Sequence, residues 1–583
     1  MRIFRAGVSL AISLALAGSQ LATSQIAGAA APAPVAAENG MVVSAHRLAT
    51  QAGIDVLRQG GNAVDASIAV AYALAVTFPE AGNIGGGGFM TIRMADGRTT
   101  FIDFRETAPG KATPAMFQDK AGNVIPGLST RGHLAAGIPG TVAGLELART
   151  KFGTRPRAPL MASAIALASR GFVLDQADAD MLADGAADFA KDPASAAIFL
   201  NAGKPWKKGQ RWVQTDLGRT LAAIAVGGNQ AFYNGPIAAK IAASNQRHGG
   251  IMTTADFAAY KAVERKPIEC DYRGFRVISA PPPSSGGVVL CQTLNIIEGW
   301  PMGSLGFQSA QGVHYTVEAL RRAYRDRNME LGDPDFVKAD VARLTSQAYA
   351  DQQRATISPD KATPSSSLPG PGAGKEGKST THFSVVDKAG NAVSLTYTIN
   401  DWFGARVTAE GTGILLNNEM DDFSAKPGHP NMYGLVEGTN NAIAPGKRPL
   451  SSMTPTIVTK DGQLSMVLGT PGGSHIPTGV LQVMVNVIDY DMTLTEAVDA
   501  PRIHAQWLPD VIYYEKNSLS ADTMAVLAAK GHKLEQMDYW NQIAAILVGG
   551  PSLKVRPNPA TGDKSRYYGA IDPRLAVGNA AGY

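Results

Sequence analysis

The chain has 583 residues, which is roughly four domains' worth of polypeptide or one large, well-buried architecture. Its 53 Lys and Arg against 49 Asp and Glu leave a net charge of only +4, which gives nucleic-acid binding no electrostatic support. Apolar types reach 45% and charged types stop at 17%, which excludes disorder over the whole chain.

Residues 1–29 read as a secretory signal peptide. Arg2 and Arg5 precede an apolar stretch from Ala6 to Ala17, and Ala27-Gly28-Ala29 offers a small-residue cleavage site. The apolar stretch is too short to span a bilayer, and no other run of that kind follows. The mature protein is therefore expected to be exported, periplasmic or secreted, with no membrane span. Residues 46–76 predict a helix pair around the Gly60-Gly61-Asn62 break, with Ala-rich faces suited to close packing. Gly85 to Gly88 predict a tight loop feeding the strand FMTIRM, and TTFIDFRE continues the sheet to Arg105 and Glu106. Residues 141–350 read as helices joined by short loops, including VHYTVEALRRAYRDR at 313–327. Within them, Cys270 and Cys291 are too few for a disulfide scaffold or a four-cysteine zinc site. The pair can make one bridge, and two unpaired thiols are the expectation.

At 361–379 the texture changes, because Pro, Ser and Gly supply 11 of 19 residues. Such a stretch has no apolar face to bury, so an exposed, mobile linker is expected. Gly372, Gly377, Lys378 and Ser379 within it satisfy the spacing of a phosphate loop. That loop needs a strand before it and a helix after it, and here a β-rich segment follows, so the match is rejected. THFSVV and AVSLTYT flank the turn block Asp387–Asn391 and predict a hairpin. Centring the turn on Ala389 pairs Thr381 with Tyr397, Phe383 with Leu395 and Val385 with Val393 on an apolar face. A polar face then pairs His382 with Thr396 and Ser384 with Ser394, and sets Thr380 opposite Thr398. LSMVLGT and HIPTGVLQVMVNVIDY predict a further strand and helix, so the whole is α+β or α/β.

A linker ending at a strand-leading Thr has a known chemical use. Cleavage before Thr380 would free an α-amine of ordinary pKa about 7.7–8.0, able to take the proton from its own Oγ. From this segment alone, Thr380 reads as an ordinary strand residue. The rest of the sequence reverses that reading. LLNNEMDDFSAKPG, GKRPLSSMTPTI and GTPGGSH after the hairpin, with FPEAGNIGGGGFM, DFRETAPGKAT and APPPSSGGVVL before it, resemble the gamma-glutamyltransferase (gamma-glutamyltranspeptidase) family, a branch of the N-terminal nucleophile hydrolases. The resemblance runs from Ala45 to the C-terminal tail.

The resemblance implies a four-layer αββα sandwich built jointly by two subunits from one precursor, a large one at 30–379 and a small catalytic one at 380–583. It implies self-cleavage between Ser379 and Thr380, with Thr380 as nucleophile, Thr398 orienting it and Gly472 and Gly473 as the oxyanion pair. Arg105, Ser451 and Ser452 match the residues that bind a donor's α-carboxylate, and Asn400, Glu419 and Asp422 those that receive its α-ammonium. Tyr433 matches a lid tyrosine, and Glu419 stands where some relatives carry Gln. Donors such as glutathione, amino acid or peptide acceptors, and chemistry without metal or organic cofactor follow from the same likeness. Asp401 and Trp402 depart from the family's small polar residues. If the strand continues past Asn400, the Trp402 indole points into the pocket on the acceptor side. Two other readings compete: a related acylase acting on a glutaryl side chain of a β-lactam, which needs no ammonium site, and an exported solute-binding protein, which needs no cleavage.

Overall fold

The computed structural model describes residues 33–368, 380–549 and 564–583. The expected signal peptide, Ser379 and the glycine-rich match at 372–379 lie outside the described residues. Two seven-stranded sheets, antiparallel throughout, form the centre. The first runs Asn579–Gly582, Met41–Ser44, Thr381–Val386, Ala392–Thr398, Gly87–Arg93, Thr99–Asp103 and Val263–Arg265. The second runs Val35–Ala37, Tyr567–Ile571, Ala544–Val548, Gln463–Gly469, Thr456–Lys460, Phe275–Ser279 and Ile268–Tyr272.

The hairpin at the middle of the first sheet has the register that alternation demands, with Thr381 opposite Tyr397 and Val385 opposite Val393. Because side chains alternate along a strand, the two faces serve different layers. Phe383, Val385, Val393, Leu395 and Tyr397 pack into a core shared with the helices Arg47–Arg58 and Ala63–Thr77. Val386 and Ala392 face the second sheet and meet Ile457, Val467 and Ile546. The far face of that sheet presents Val458, Met466 and Leu468 to the helices Gly286–Ile297, Ala310–Glu330 and Ile476–Ile488. The layers are thus helix, sheet, sheet and helix, as expected.

The polar face of the hairpin lies between the sheets and is fully buried. His382 Nδ1 is 2.8 Å from Thr396 Oγ1, its Nε2 is 3.1 Å from Ser384 Oγ, and Ser394 Oγ donates to the Leu468 carbonyl at 3.0 Å. These bonds offset the cost of removing hydroxyls and an imidazole from water. Burial pushes the His382 imidazole down to about 3, so it is neutral at physiological pH. The Ala63–Thr77 helix is buried along its whole length and starts with a capping box between Asn62 and Asp65. At Gly85 to Gly88 the glycines are required. A Cβ on Gly86 would stand 2.0 Å from the Thr398 carbonyl oxygen, and one on Gly88 2.4 Å from that of Thr396.

Three expectations need correction. Residues 263–279 are not helical but supply three strands, one to the first sheet and two to the second. Cys270 and Cys291 are joined in a disulfide rather than free, and tie the edge strand Ile268–Tyr272 to the helix Gly286–Ile297. Finally, the start of the expected mobile linker is packed. Glu318 accepts from Thr363 N–H, Asp510 accepts from Ser365 N–H, and the Trp507 indole donates to the Ser365 carbonyl at 3.2 Å.

Candidate active site

The strand Ala392–Thr398 ends at a small cavity that receives residues from eight stretches of the chain. Thr380 and Thr398 line it, one residue beyond the last ladder pair, Thr381 with Tyr397. Both are nearly fully buried. Thr398 Oγ1 accepts a 2.8 Å hydrogen bond from Asn400 N–H, which caps the strand end and fixes Asn400 in the left-handed region at φ +73°. Asn is one of the few residues that tolerates that conformation, so a short polar side chain at 400 has a backbone reason as well as a chemical one.

Arg105 enters just past the strand Thr99–Asp103. Its Nε donates to the Pro449 carbonyl at 3.2 Å, and its two Nη groups pair with Glu419 and Asp422. Those acids sit three apart on the 3₁₀ turn Glu419–Asp422, hence on one face. Asp421 between them points away, bonded to Ser129 Oγ at 2.6 Å and to Met432 N–H at 3.0 Å. This acidic turn is therefore buried rather than solvated. Burial opposes the charge on Arg105, but Glu419, Asp422 and Glu106 outweigh it and hold the guanidinium above its ordinary range. Burial also raises the acids. Asp421 is pushed up to about 6, and Asp422 rises even though Arg105 offsets part of the effect.

The opposite wall comes from the second sheet and its helices. Gln463–Gly469 leads through Thr470 and Pro471 to Gly472 and Gly473, and the helix Ile476–Ile488 starts after one 3₁₀ turn. Gly472 has φ +132° and Gly473 φ +55°, both in the region that favours glycine. Gly473 lines the cavity and Gly472 directly precedes it, its carbonyl accepting from His475 N–H at 3.0 Å. Ser451 and Ser452 line the cavity too. The APPPSSGG segment braces them, since Ser285 N–H donates to the Ser451 carbonyl and Ser451 N–H to that of Pro283, both at 2.8 Å. Tyr433 closes the top. Its hydroxyl donates to Asn400 Oδ1 at 2.6 Å, and its ring lies so near Gly473 that a Cβ there would be 2.4 Å away.

Of the residues marked in the sequence, Arg105, Thr380, Thr398, Asn400, Glu419, Asp422, Tyr433, Ser451, Ser452 and Gly473 meet in this one cavity. Trp402 does not. The strand stops at Thr398 and the chain turns at Asn400, so the indole packs against the helical core of the first sheet. The premise that placed it on the acceptor side fails. Arg327 was not marked, yet it lines the cavity, pairing with Glu437 and donating to Ser285 Oγ at 3.2 Å. Its signal was present. Val313, Val317, Leu320 and Tyr324 step by four and three along the helix, and Arg327 is the next position on that buried stripe. A charge on an apolar stripe calls for a buried partner.

Residues 49–580 match the family model described as Gamma-glutamyltranspeptidase. The chain is 58% identical to the "Glutathione hydrolase proenzyme" of Pseudomonas sp. (strain A14), over 95% of this chain and 96% of that protein. Among solved structures it is similar to a cephalosporin acylase from Bacillus halodurans, with TM-score 0.81, 28% identity and coverage of 95% of this chain and 97% of that one. A gamma-glutamyltranspeptidase chain from Helicobacter pylori matches at TM-score 0.55 and 43% identity, over 58% of this chain and 95% of that one. Family model, near full-length identity and the converging cavity agree: the chain belongs to the gamma-glutamyltranspeptidase family.

Proposed function

We propose that this chain cuts itself between Ser379 and Thr380 and then hydrolyses or transfers the γ-glutamyl group of glutathione and similar donors. The observation that carries the reading is the convergence of Thr380 and Thr398 with Arg105, Glu419 and Asp422 on one buried cavity. In the structure Arg105 is neutralised by the two acids. A γ-glutamyl donor brings one carboxylate and one ammonium, so it can exchange that internal pair for two pairs of its own. Its carboxylate takes the Arg105 fork, with hydroxyls from Ser451 and Ser452. Its ammonium takes Glu419, Asp422 and the Asn400 carbonyl edge.

The γ-amide carbonyl then faces Thr380. Its Oγ attacks the carbonyl carbon, the proton passes to the free α-amine of Thr380, and backbone N–H groups at Gly472 and Gly473 meet the oxyanion, worth about 2.7–4 kcal/mol per donor. The leaving amine departs with that proton. Water, or the amine of an amino acid or peptide, then resolves the γ-glutamyl ester. The fit of the donor depends on both charges, and a glutaryl side chain offers only one. The acylase reading, favoured by the cephalosporin acylase likeness, is thereby the weaker one. Export is supported by the Cys270–Cys291 bridge, a pairing typical of oxidising compartments. Among the described residues no helix is long and apolar enough to cross a membrane.

A denaturing gel of purified protein tests the reading. Two fragments are expected, the smaller beginning at Thr380 by N-terminal sequencing, together with glutamate release from glutathione. Thr380→Ala should stay as one inactive chain. An active but uncut wild-type protein would sink the mechanism, and equal rates on γ-glutamyl and glutaryl amides would favour the acylase.

A further inference from the structure

Glu106 follows Arg105, is fully buried, and has no assigned part in the chemistry above. Neither of its carboxyl oxygens accepts a hydrogen bond among the described residues, and Arg105 Nη1, at 3.9 Å, is too far to donate. Glu419 is half in the same condition. Arg105 engages its Oε1, while its Oε2 accepts from nothing among the described residues. Both carboxyls converge on the same nitrogen, since Arg105 Nη1 pairs with Glu419 Oε1 and lies 3.9 Å from Glu106 Oε2, and each acts on the other as a side-chain hydrogen-bond partner. The backbone closes around them, since a Cβ on Gly87 would stand 2.7 Å from Glu106 Oε2.

Among the described residues the charges acting on the pair include no second cation. Arg105 faces it, but the Arg105 Nη groups are already shared between Glu419 and Asp422. Arg448 donates to the Arg105 carbonyl and pairs with Asp103. The phenols of Tyr233 and Tyr260 lie nearby with their protons committed, Tyr233 to the Pro139 carbonyl and Tyr260 to that of Arg105. Two ionised carboxylates in contact here would each be buried, repelled and unsatisfied. One proton between them ends the repulsion, leaves a single buried charge facing Arg105 and gives each carboxyl a hydrogen bond to the other.

We propose that Glu106 is a positioning residue for the donor site, sharing one proton with Glu419 in a carboxylic acid–carboxylate hydrogen bond that holds Glu419 toward Arg105 and the donor's ammonium. The inference rests on the donor site proposed above. The electrostatics agree in direction. Burial, offset in part by Arg105, pushes Glu106 up to about 7, and burial raises Glu419 well above the carboxylate range. The protons belong to the pair rather than to either residue. As pH falls through about 7 the pair takes up a second proton, becomes neutral and attracts an ammonium less.

Two variants and two readouts test this. Glu106→Gln places an amide N–H where the shared proton sat, whereas Glu106→Leu removes the bond. At pH 8, the infrared difference between wild type and Glu106→Gln, recorded without substrate, should show the carbonyl stretch of a protonated carboxylic acid, shifted in D₂O. With γ-glutamyl-p-nitroanilide, KM should rise in wild type as pH falls below 7. That limb should be absent in Glu106→Gln, while the kcat limb set by the Thr380 amine persists in both. Glu106→Gln should keep KM near wild type at pH 8, and Glu106→Leu should raise it about tenfold or more, as expected for a lost bond to a charged group. No acid band overturns the shared proton, whatever the donor. A band with equal KM in all three proteins overturns the positioning role. If Glu106→Leu does not fold, the Glu106→Gln comparison still decides. Wild type inert toward γ-glutamyl donors would overturn the donor site and the positioning role with it, with the band left to report on the proton alone.

Discussion

Arg105 is a buried guanidinium between two acids with a third beside it. Arg105→Ala should leave those acids unpaired, at a cost of about 3–5 kcal/mol. The expected result is a fall of at least two decades in kcat/KM with γ-glutamyl-p-nitroanilide and a lower melting temperature, with cleavage before Thr380 little changed. Retained efficiency would remove Arg105 from the donor site. The acids also fix the sign of a pH effect on stability. Folded Glu106 and Asp421 keep protons up to about 7 and about 6, whereas unfolded acids release theirs near about 4. The stabilisation this gives is complete at low pH and is lost as pH rises through those values. His382, His133 and His532, depressed to about 3, 4 and 4 by burial, act in the opposite sense, but only below about 6.5. Thermal melts between pH 6.5 and 8 should therefore show stability falling with pH, and less steeply in Glu106→Gln. A flat profile in wild type would contradict the raised Glu106.

At the scale of elements, the hairpin and the disulfide each hold one wall of the cavity. Thr398 Oγ1 terminates a strand and caps the left-handed Asn400, so its loss should loosen both. Thr398→Ala is expected to slow self-cleavage and to lower turnover at least tenfold, with Thr398→Ser restoring most of each. Cleavage and turnover at wild-type rates in Thr398→Ala would assign the cap no part. The Cys270–Cys291 bridge closes a loop of 21 residues, a length for which the chain-entropy model gives roughly 3 kcal/mol. The helix it anchors begins beside Ser284 and Ser285, whose hydroxyls donate to the Met453 and Ser451 carbonyls. Replacing both cysteines by Ala should lower the melting temperature by several degrees and raise donor KM more than it lowers kcat. An unchanged melt would place the bridge outside the cooperative unit.

The whole molecule is woven across the proposed cleavage site. In the first sheet Met41–Ser44 lies between two strands from beyond residue 380, and Thr381–Val386 and Ala392–Thr398 lie between strands from before it. The second sheet mixes the two parts likewise, Val35–Ala37 pairing with Tyr567–Ile571 and Phe275–Ser279 with Thr456–Lys460. Among the described residues the ladder begins at Thr381, so cutting the peptide bond before Thr380 breaks none of its hydrogen bonds. The two fragments should therefore co-migrate by size exclusion, and should melt in one transition. Separation of folded fragments under native conditions would contradict this weaving.

Local patterning in the sequence was enough for the hairpin register, the helix pair at 46–76 and the turn at Gly472 and Gly473, because alternation, capping and glycine chemistry act between near neighbours. Most of the site was legible too, because its motifs are contiguous and specific. What failed was set by distant partners. The strands at 263–279 are fixed by pairing with Thr99–Asp103 and Thr456–Lys460. The cysteines are joined because a strand and a helix bring them together, which spacing along the chain does not encode. At Trp402 the expectation fails because the strand stops at Thr398 and Asn400 turns the chain with a left-handed backbone, so strand alternation no longer carries to position 402. Glu106 carried no sequence signal beyond its place after Arg105. Only the tertiary structure sets it against a second carboxyl without a donor, since a group's hydrogen-bonding state depends on what other segments fail to bring near it.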